Sequence, residues 1–467
     1  MKFKFKQIFT FVLLIFVVLL GITAKNIKDN LDTKSNQIDF LEETLKNKKS
    51  QLTNLHEKLS LKNISIEEIL FDKGIFFEKI KQEKISINNN QYIFKVHQSN
   101  DIIFAKHPEA SSSAYIDFSE EDIFLITATG QIVYSKFKDL KKDNFEMKSI
   151  KSNIKELIIY PEFYSDSAYG IKDILIYKNS IFISYINELK KDCYNTSVLK
   201  GNLNYNYISF KQFYISEKCI SKNEKFYNNN KNDKFVAHQA GGRMKVINDN
   251  LILTVGEYRY RVLAQDTSND FGKIISINLN SKNKQILSIG HRNPQGLFFD
   301  KNLNKIFSTE HGPNGGDEIN VIDLNATNLN NNYGWPIASY GNHYFEVKND
   351  NRFELSPLKK SHSKNNFVEP LKYFVPSVAI SEIIRFSNNN FKNQYLVGTM
   401  GTAKKIKEGM LSLYYFEYSD EDNKIISSEF IPIKSRVRDL FYYKKENMIV
   451  MYLETFNSLG VINLDNN

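Results

Sequence analysis

Residues 305–324 have the sequence Lys305-Ile-Phe-Ser-Thr-Glu-His-Gly-Pro-Asn-Gly-Gly-Asp-Glu-Ile-Asn-Val-Ile-Asp-Leu324. Two short apolar runs, 305–309 and 318–324, flank a glycine-rich stretch at 312–316. Short runs bounded by turn residues are typical of β-strands. Glycine lets the backbone between them turn sharply and approach a ligand closely. The stretch therefore predicts two strands joined by a loop that can carry a binding site.

The same pattern recurs from about residue 91 to the end of the chain. Further apolar runs lie at 123–127, 173–177, 180–186, 251–255, 273–279, 394–399, 411–418 and 448–453. No helical period longer than three turns interrupts them after Lys84. So many strands exceed one sandwich, and their groups recur at roughly 50–65 residues, which favours radial repetition. We predict an all-β fold, a six-bladed β-propeller over residues 90–467.

The composition is that of a globular protein. Of 467 residues, 42% are hydrophobic and 25% are charged, and 35 Phe and 26 Tyr favour sheet over helix. Lys and Arg exceed Asp and Glu by 62 to 53, and this net charge of +9 indicates a solvated surface and no nucleic-acid partner. Two cysteines, Cys193 and Cys219, exclude a multi-cysteine metal site, and they are either a disulfide or two free thiols.

The N-terminus predicts a membrane anchor. Lys2, Lys4 and Lys6 precede an uncharged, mostly apolar run at 8–24, which is just long enough to span a bilayer. Basic residues in front of such a run keep the N-terminus in the cytoplasm. Residues 1–25 are therefore expected to anchor a single-pass protein in the inner membrane, with its C-terminal domain in the periplasm. A cleaved signal peptide is the alternative.

Residues 26–85 predict a helical stalk. Apolar residues recur every seven positions, at Leu31, Ile38, Leu45, Leu52 and Leu59. This heptad is typical of a coiled coil, through which the protein could form a homo-oligomer. Lys34 and Lys48 at d positions weaken that association. The alternative is a single amphipathic helix packed on the main domain.

Polar residues that could catalyse a reaction or bind a ligand cluster between the predicted strands. His238 opens the sequence His-Gln-Ala-Gly-Gly-Arg, and residues 290–296 read Gly-His-Arg-Asn-Pro-Gln-Gly. The main-chain carbonyls of the glycine-rich stretch at 312–316 can bind a hard cation. Arg436 and Arg438 share one face of a strand, which suits a ligand with several carboxylates or phosphates. A turn histidine and a solvated strand face are the structural alternatives.

Six segments, in the same order along the chain, resemble the glucose/sorbosone dehydrogenase family, which includes soluble quinoprotein sugar dehydrogenases and periplasmic aldose sugar dehydrogenases. They are residues 238–243, 264–274, 290–296, 310–320, 332–336 and 436–439. The resemblance implies a six-bladed propeller that holds pyrroloquinoline quinone (PQQ) and calcium in its central mouth. It also implies an enzyme that oxidises an aldose sugar at the anomeric carbon and passes the electrons to an acceptor that the sequence does not identify.

The resemblance implies the roles of the residues nearest the reaction. His238 would be the general base that takes the proton of the anomeric hydroxyl. Arg292 and Asn293 would contact the quinone oxygens, so that Arg292 stabilises the negative charge that hydride transfer leaves on oxygen.

Four more residues would hold the cofactors. The carbonyls of Gly312 and Pro313 would bind the calcium that polarises the quinone. Arg436 and Arg438 would bind the carboxylates of PQQ, as their shared strand face already suggests.

This sequence departs from the family pattern at four points. Ala237 replaces an acidic residue before the histidine, and Glu257 replaces an aspartate. A lysine expected after residues 396–398 arrives late, as Lys404, and a glutamine expected around residues 169–171 is missing. These departures leave an alternative function open, in which a non-catalytic propeller binds a glycan or a protein partner at the cell envelope.

Overall fold

The computed structural model describes residues 73–101, 113–223, 235–326, 331–344, 352–386, 393–401 and 407–465. Nearly all regular structure in these residues is antiparallel β-sheet. The described α-helices span only one turn or slightly more: α1 (Ile154–Leu157), α2 (Pro161–Ser165) and α3 (Arg352–Leu355). Short 3-10 turns lie at Phe137–Lys141, Ser167–Tyr169, Arg261–Gln265, Ser363–Asn365, Lys444–Glu446 and Glu454–Phe456.

The strands form six four-stranded units, which we call blades one to six. The described chain opens with β1 (Ile75–Ile87) and β2 (Asn90–Gln98). Blade one contains β3 (Ala114–Ser119), β4 (Asp122–Thr127), β5 (Ile132–Lys136) and β6 (Asn144–Ser152). Blade two contains β7 (Ile171–Tyr177), β8 (Ser180–Lys190), β9 (Cys193–Asn202) and β11 (Lys211–Ile215), while β10 (Tyr207–Ile208) pairs with β6 and β12 (Ile220–Ser221) pairs with β9.

Blades three to six follow in chain order. Blade three contains β13 (Gly241–Ile247), β14 (Asn250–Val255), β15 (Lys273–Asn278) and β16 (Lys284–Ile289). Blade four contains β17 (Pro294–Asp300), β18 (Lys305–Glu310), β19 (Asp317–Asp323) and β20 (Lys372–Phe374). Blade five contains β21 (Ile380–Phe386), β22 (Gln394–Thr399), β23 (Ser412–Ser419) and β24 (Lys424–Pro432), and blade six contains β25 (Val437–Tyr443), β26 (Met448–Leu453) and β27 (Ser458–Asn463) with β2 as its outer strand.

The first strands of the six blades form a closed ring. β3 contacts β7, β7 contacts β13, and the contacts continue through β17, β21 and β25 back to β3. Blade six is completed by β2, which comes from the start of the described chain and pairs with β27 at its end, so the two ends of the described chain meet in one blade. This is the topology of a six-bladed propeller, and the all-β prediction is confirmed.

Apolar side chains pack between neighbouring blades. Phe307 and Ile319 of blade four share one buried cluster with Tyr395 and Val397 of blade five. The rings of Phe307 and Tyr395 lie 4.6 Å apart, centroid to centroid. Each sheet is therefore covered on both faces, which explains why strands such as β4 are buried along their whole length.

The expectations for the N-terminal region need correction. The single-pass inner-membrane localisation, with a periplasmic domain, is contradicted, because in the described part of the chain no helix is long and apolar enough to span a bilayer. The proposed anchor at 1–25 and the heptad positions up to Leu59 lie outside the described residues. Within the proposed helical stalk, residues from Ile75 onward belong to β1, whose side chains alternate between buried and exposed at both of its ends.

The two cysteines form a disulfide. Cys193 begins β9 and Cys219 lies directly before β12, so the bond fastens the edge of blade two. Pairing of β12 with β9 brings the two residues together, a contact that the sequence alone does not reveal.

One buried arginine links its own first strand to the first strands of the five other blades. Arg243 on β13 is 2% exposed. Its Nη1 lies 2.8 Å from Asp439, 3.1 Å from Asp173 and 3.3 Å from Glu382. Its partners come from the five other first strands: Tyr115 on β3, Asp173 on β7, Gln295 on β17, Glu382 on β21, and Arg438 and Asp439 on β25.

Replacing this arginine should destabilise the whole ring. Arg243→Met leaves three buried carboxylates without their central cation, and we expect the free energy of unfolding to fall by about 3–5 kcal/mol. Lys445→Met is the control, because its ion pair with Glu121 is exposed on both sides and solvent screens it, so its loss should change stability little. Urea denaturation measures both variants, and equal losses would contradict a central role for Arg243.

Candidate functional site

A cavity of about 300 Å³ opens at the end of the ring where the first strands begin. Its lining includes residues at or just before the starts of all six first strands: Ser113, Ser167, Lys172, His238, Gln239, Arg292, Asn293, Ala379, Arg436 and Arg438. The volume lies at the lower end of the usual range for small-molecule sites. The cavity can therefore receive a ligand that touches every blade.

All seven residues singled out in the sequence line this one cavity. They are His238, Arg292, Asn293, Gly312, Pro313, Arg436 and Arg438. They come from segments up to 200 residues apart in the sequence. Their convergence is a finding about position, and their chemical roles stay predictions.

His238 lies in a turn directly before β13, and its side chain is exposed. The turn is closed by a hydrogen bond from the main-chain N–H of Gln239 to the main-chain carbonyl of Val236. Two glycines follow, Gly241 with φ +65° and Gly242 with φ +108°, backbone conformations that other residues rarely adopt. The imidazole is therefore presented at the cavity by a turn that this sequence is suited to form.

Arg292 is held rigidly at the cavity wall. Its Nη1 donates to the His311 carbonyl at 2.9 Å, and its main-chain N–H donates to Glu310 at 2.7 Å. The guanidinium also lies 5.5 Å from the ring centroid of Trp335. Its Nε is buried without a hydrogen-bond partner among the described residues. Nε of Arg292 is therefore a buried donor that the described residues do not satisfy.

Glu257 is linked to Arg292 through Gln239. With its amide nitrogen toward Glu257, Gln239 donates to Oε1 of that residue at 3.0 Å and accepts from Nη2 of Arg292 at 3.0 Å. Glu257 itself is fully buried. Glu257, which replaces an aspartate of the family pattern, therefore holds Gln239 and through it Arg292 in the cavity wall.

Arg436 and Arg438 meet on one carboxylate. Nε of Arg436 lies 3.0 Å from Oε2 of Glu454, and Nε of Arg438 lies 2.5 Å from Oε1 of the same residue. Nη1 of Arg438 also donates to Gln295 at 2.9 Å. Both arginines are at least nine-tenths buried, which excludes the solvated strand face as an explanation. Two guanidiniums share one counter-charge, so the pair keeps a net positive charge toward the cavity.

Gly312 and Pro313 lie in the loop between β18 and β19. The loop is fixed by Asp317, which accepts from the amides of Gly312 at 2.9 Å and Ala379 at 2.7 Å. The Pro313 carbonyl accepts from Ser377 at 3.3 Å. In the described part of the chain, no group of three or more His, Cys, Asp or Glu side chains is placed to hold a metal. The loop offers carbonyl oxygens instead, which calcium accepts as ligands.

Sequence reasoning missed three important residues at or behind this cavity: Lys172, His311 and Glu454. Lys172 lies in the region where a glutamine was expected. In the sequence, His311 suggests at most a transition-metal site with His291 and His343, and their spacings match no tight ligand motif. Glu454 directly follows the buried strand β26, and an acidic residue at the end of such an apolar run is the signal that could have revealed it.

His311 is half-buried in the cavity wall and neutral. Its Nε2 donates to the Ile380 carbonyl at 2.7 Å, since a carbonyl can only accept. Burial, and then the positive charges of Arg292 and Arg438, lower the pKa of His311 to about 3. This histidine is therefore a weak base at neutral pH.

The lining fits a ligand that carries several carboxylates, as PQQ does. Three guanidiniums and one ammonium, those of Arg292, Arg436, Arg438 and Lys172, face a single cavity. Charge-assisted hydrogen bonds from such groups are the usual means of binding carboxylates. The donor that Arg292 leaves unused is consistent with a bound acceptor.

The comparisons with known proteins agree with this architecture. The model of the family described as Glucose / Sorbosone dehydrogenase matches residues 140–455, which is more than half of the chain. The chain therefore belongs to the glucose/sorbosone dehydrogenase family, whose named members are oxidoreductases that act on sugars.

Individual relatives match over shorter segments. An uncharacterized protein of Synechocystis is 32% identical over 193 residues, which cover 38% of this chain and 42% of the relative. The aldose sugar dehydrogenase of Escherichia coli is 28% identical over 203 residues, 41% of this chain and 50% of the relative. These alignments span half or less of the relatives' lengths.

Solved structures share the fold over most of their length. A glucose dehydrogenase structure aligns with a TM-score of 0.58 at 19% identity, and covers 79% of this chain and 99% of that one. The holo form of the PQQ domain of a pyranose dehydrogenase from Coprinopsis cinerea aligns with a TM-score of 0.52 at 10% identity, covering 82% and 97%. At these identities the likeness establishes the fold.

The low pKa of His311 should make stability depend on pH. An unfolded histidine binds its proton near pH 6.5, whereas the folded one stays neutral down to about pH 3, so stability is lost as the pH falls through this window. His311→Gln keeps a donor for the Ile380 carbonyl and removes the titration. We expect its free energy of unfolding, measured in urea between pH 7.5 and 4, to fall less than that of the wild type. Parallel curves would show that the folded protein does not hold His311 neutral.

Proposed function

We propose that the protein is a PQQ-dependent dehydrogenase that oxidises an aldose sugar at the anomeric carbon. The observation that carries the proposal is the convergence of seven predicted residues on one cavity of a fold that the family shares. The match to the quinoprotein glucose dehydrogenase of Acinetobacter calcoaceticus, 39% identical over 88 residues, supports the choice of cofactor. That segment covers 16% of this chain and 17% of the relative.

Two histidines line the cavity, and their surroundings favour His238 as the base. His311 has a pKa of about 3 and uses its Nε2 proton to bond Ile380. A general base works best with a pKa near the operating pH, which argues against His311. His238 lies in an exposed turn at the same cavity. We assign it the proton of the anomeric hydroxyl, which it accepts at a ring nitrogen.

Positive side chains would bind and orient the cofactor. Arg436 and Arg438 would bind its carboxylates, and Arg292 and Asn293 would contact the quinone oxygens. Asn293 is prepared for this because its side-chain oxygen already accepts from Gly241 at 3.2 Å and from Gln295 at 3.0 Å, which leaves its amide donors for a ligand. When bound, PQQ supplies the quinone that takes a hydride from the anomeric carbon.

Calcium would be held by the carbonyls of Gly312 and Pro313. The loop that carries them is anchored by Asp317 to the first residues of blade five. The role of the ion would be to withdraw electron density from oxygen, as a Lewis acid does.

A direct test is to add PQQ and calcium chloride to the purified full-length protein. We expect saturable, calcium-dependent absorbance changes, followed by sugar-dependent reduction of an artificial dye. Failure to bind PQQ at millimolar calcium would contradict the proposal. Binding of a glycan without PQQ would then support the alternative of a non-catalytic propeller.

Removing the proposed base should separate binding from turnover. His238→Ala should bind PQQ with wild-type affinity, since the imidazole is not among the proposed cofactor ligands, while kcat falls by roughly two to four orders of magnitude. Dye reduction at saturating sugar measures kcat, and an absorbance titration measures PQQ affinity. His343→Ala is the matched control, because it removes a histidine that does not line the cavity. Wild-type kcat in His238→Ala would end this assignment.

The arginine pair should contribute to both affinity and stability. Replacing Arg436 or Arg438 with Ala should weaken PQQ binding by about 1.5–3 kcal/mol, the range for hydrogen bonds to charged groups. Because each arginine also neutralises the buried Glu454, thermal unfolding should shift downward as well. Arg385→Ala breaks another largely buried arginine–carboxylate pair, with Asp300, away from the cavity, and should lower stability alone. Unchanged PQQ affinity in the double variant of Arg436 and Arg438 would mean that the cofactor binds elsewhere.

A further inference from the structure

A buried lysine lies in the cavity wall without a carboxylate partner. Lys172 on β7 is 6% exposed, and its Nζ donates to the carbonyls of Ser167 at 3.1 Å and Ala168 at 2.7 Å. No ion pair with a described carboxylate accompanies these two bonds. An ammonium group has three donors, so one is left for a molecule in the cavity.

The neighbouring backbone leaves space for this lysine. A Cβ atom on Gly242 would lie 2.3 Å from the Cβ of Lys172 and 3.2 Å from Oγ of Ser184. Any side chain at position 242 would therefore displace Lys172 from the wall. The glycine that permits the turn after His238 therefore also leaves room for the stem of Lys172.

The electrostatic surroundings of Lys172 disfavour its charge when no ligand is present. Burial, and then the positive charge of Arg438, lower the pKa of Lys172 to about 7, while Asp166 and Glu454 oppose the shift. The facing residues of β13 and β8, Gly242 and Ser184, do not titrate. A buried ammonium is stabilised when an anion is placed beside it.

We propose that Lys172 is a further ligand-binding residue of this cavity and that it recognises a carboxylate of the bound molecule. The proposal rests on the proposed function, in which the cavity holds PQQ and a sugar. The carboxylate has two candidate sources, the cofactor itself and an acidic sugar such as a uronic acid. In both cases Lys172 supplies a cation directly after residues 169–171, where the family pattern has an uncharged glutamine.

The test compares PQQ binding to the full-length wild type and to Lys172→Met between pH 6 and 9, in calcium chloride, by isothermal titration calorimetry. In the wild type, we expect Kd to rise as the pH increases above 7, because the neutral amine must regain a proton to bind a carboxylate. Lys172→Met should bind about 10- to 100-fold more weakly at pH 6. The rise of Kd with pH should also become smaller.

Lys273→Met is the matched control. Lys273 is also buried, donates to two carbonyls, those of Leu263 and Phe271, and has a pKa lowered by burial to about 8. It does not line the cavity. Its replacement should leave both Kd and the pH dependence unchanged, which separates a ligand contact from the general effect of removing a buried lysine.

A second arm identifies the source of the carboxylate. If Lys172→Met keeps the wild-type Kd for PQQ, then the KM for D-glucuronate should rise at least tenfold while that for D-glucose stays constant. If the wild type binds no PQQ, the proposed function fails, and D-glucuronate and benzene-1,3,5-tricarboxylate are titrated onto the wild type and Lys172→Met instead. Equal affinities of these two proteins for every carboxylate probe would overturn the role of Lys172.

Discussion

The interactions of Arg243 are the constraint on which the ring of blades depends. Its guanidinium pairs with Asp173, Glu382 and Asp439, and donates to the main-chain carbonyls of Gln295 and Arg438. A propeller has no single continuous core, because each blade packs only against its two neighbours. One cation that contacts every first strand therefore ties together elements that apolar packing joins only in pairs.

The same network supports the cavity. Arg243 donates to the main-chain carbonyls of Gln295 and Arg438. The side chains of these two residues line the cavity and form a hydrogen bond with each other. Glu454 then fixes Arg438 and Arg436 from the other side. The cationic wall is thus held in place before a ligand arrives, which reduces the entropy lost on binding. The positive charges that attract a carboxylate are expensive to bury, and the paired acids make their burial possible.

Most strands of the propeller could be predicted from the sequence because each depends on a pattern of neighbouring residues. The ten apolar runs became strands since a short apolar run bounded by turn residues can be recognised without knowledge of distant residues. The run that begins at Ile75 also alternates, but the stalk predicted over residues 26–85 from the heptad includes most of it, and this part of that prediction is wrong. Lys172, His311 and Glu454 were missed because their significance lies in contacts between blades, which no local pattern records.

The central claim is that this cationic cavity binds PQQ, and a crystal structure of the full-length protein grown with PQQ and calcium tests it most directly. We expect the carboxylates of PQQ within hydrogen-bond distance of Arg436 and Arg438, its quinone oxygens beside Arg292, and calcium on the carbonyls of Gly312 and Pro313. A cavity that stays free of PQQ at saturating concentration, or PQQ bound away from these residues, would contradict it.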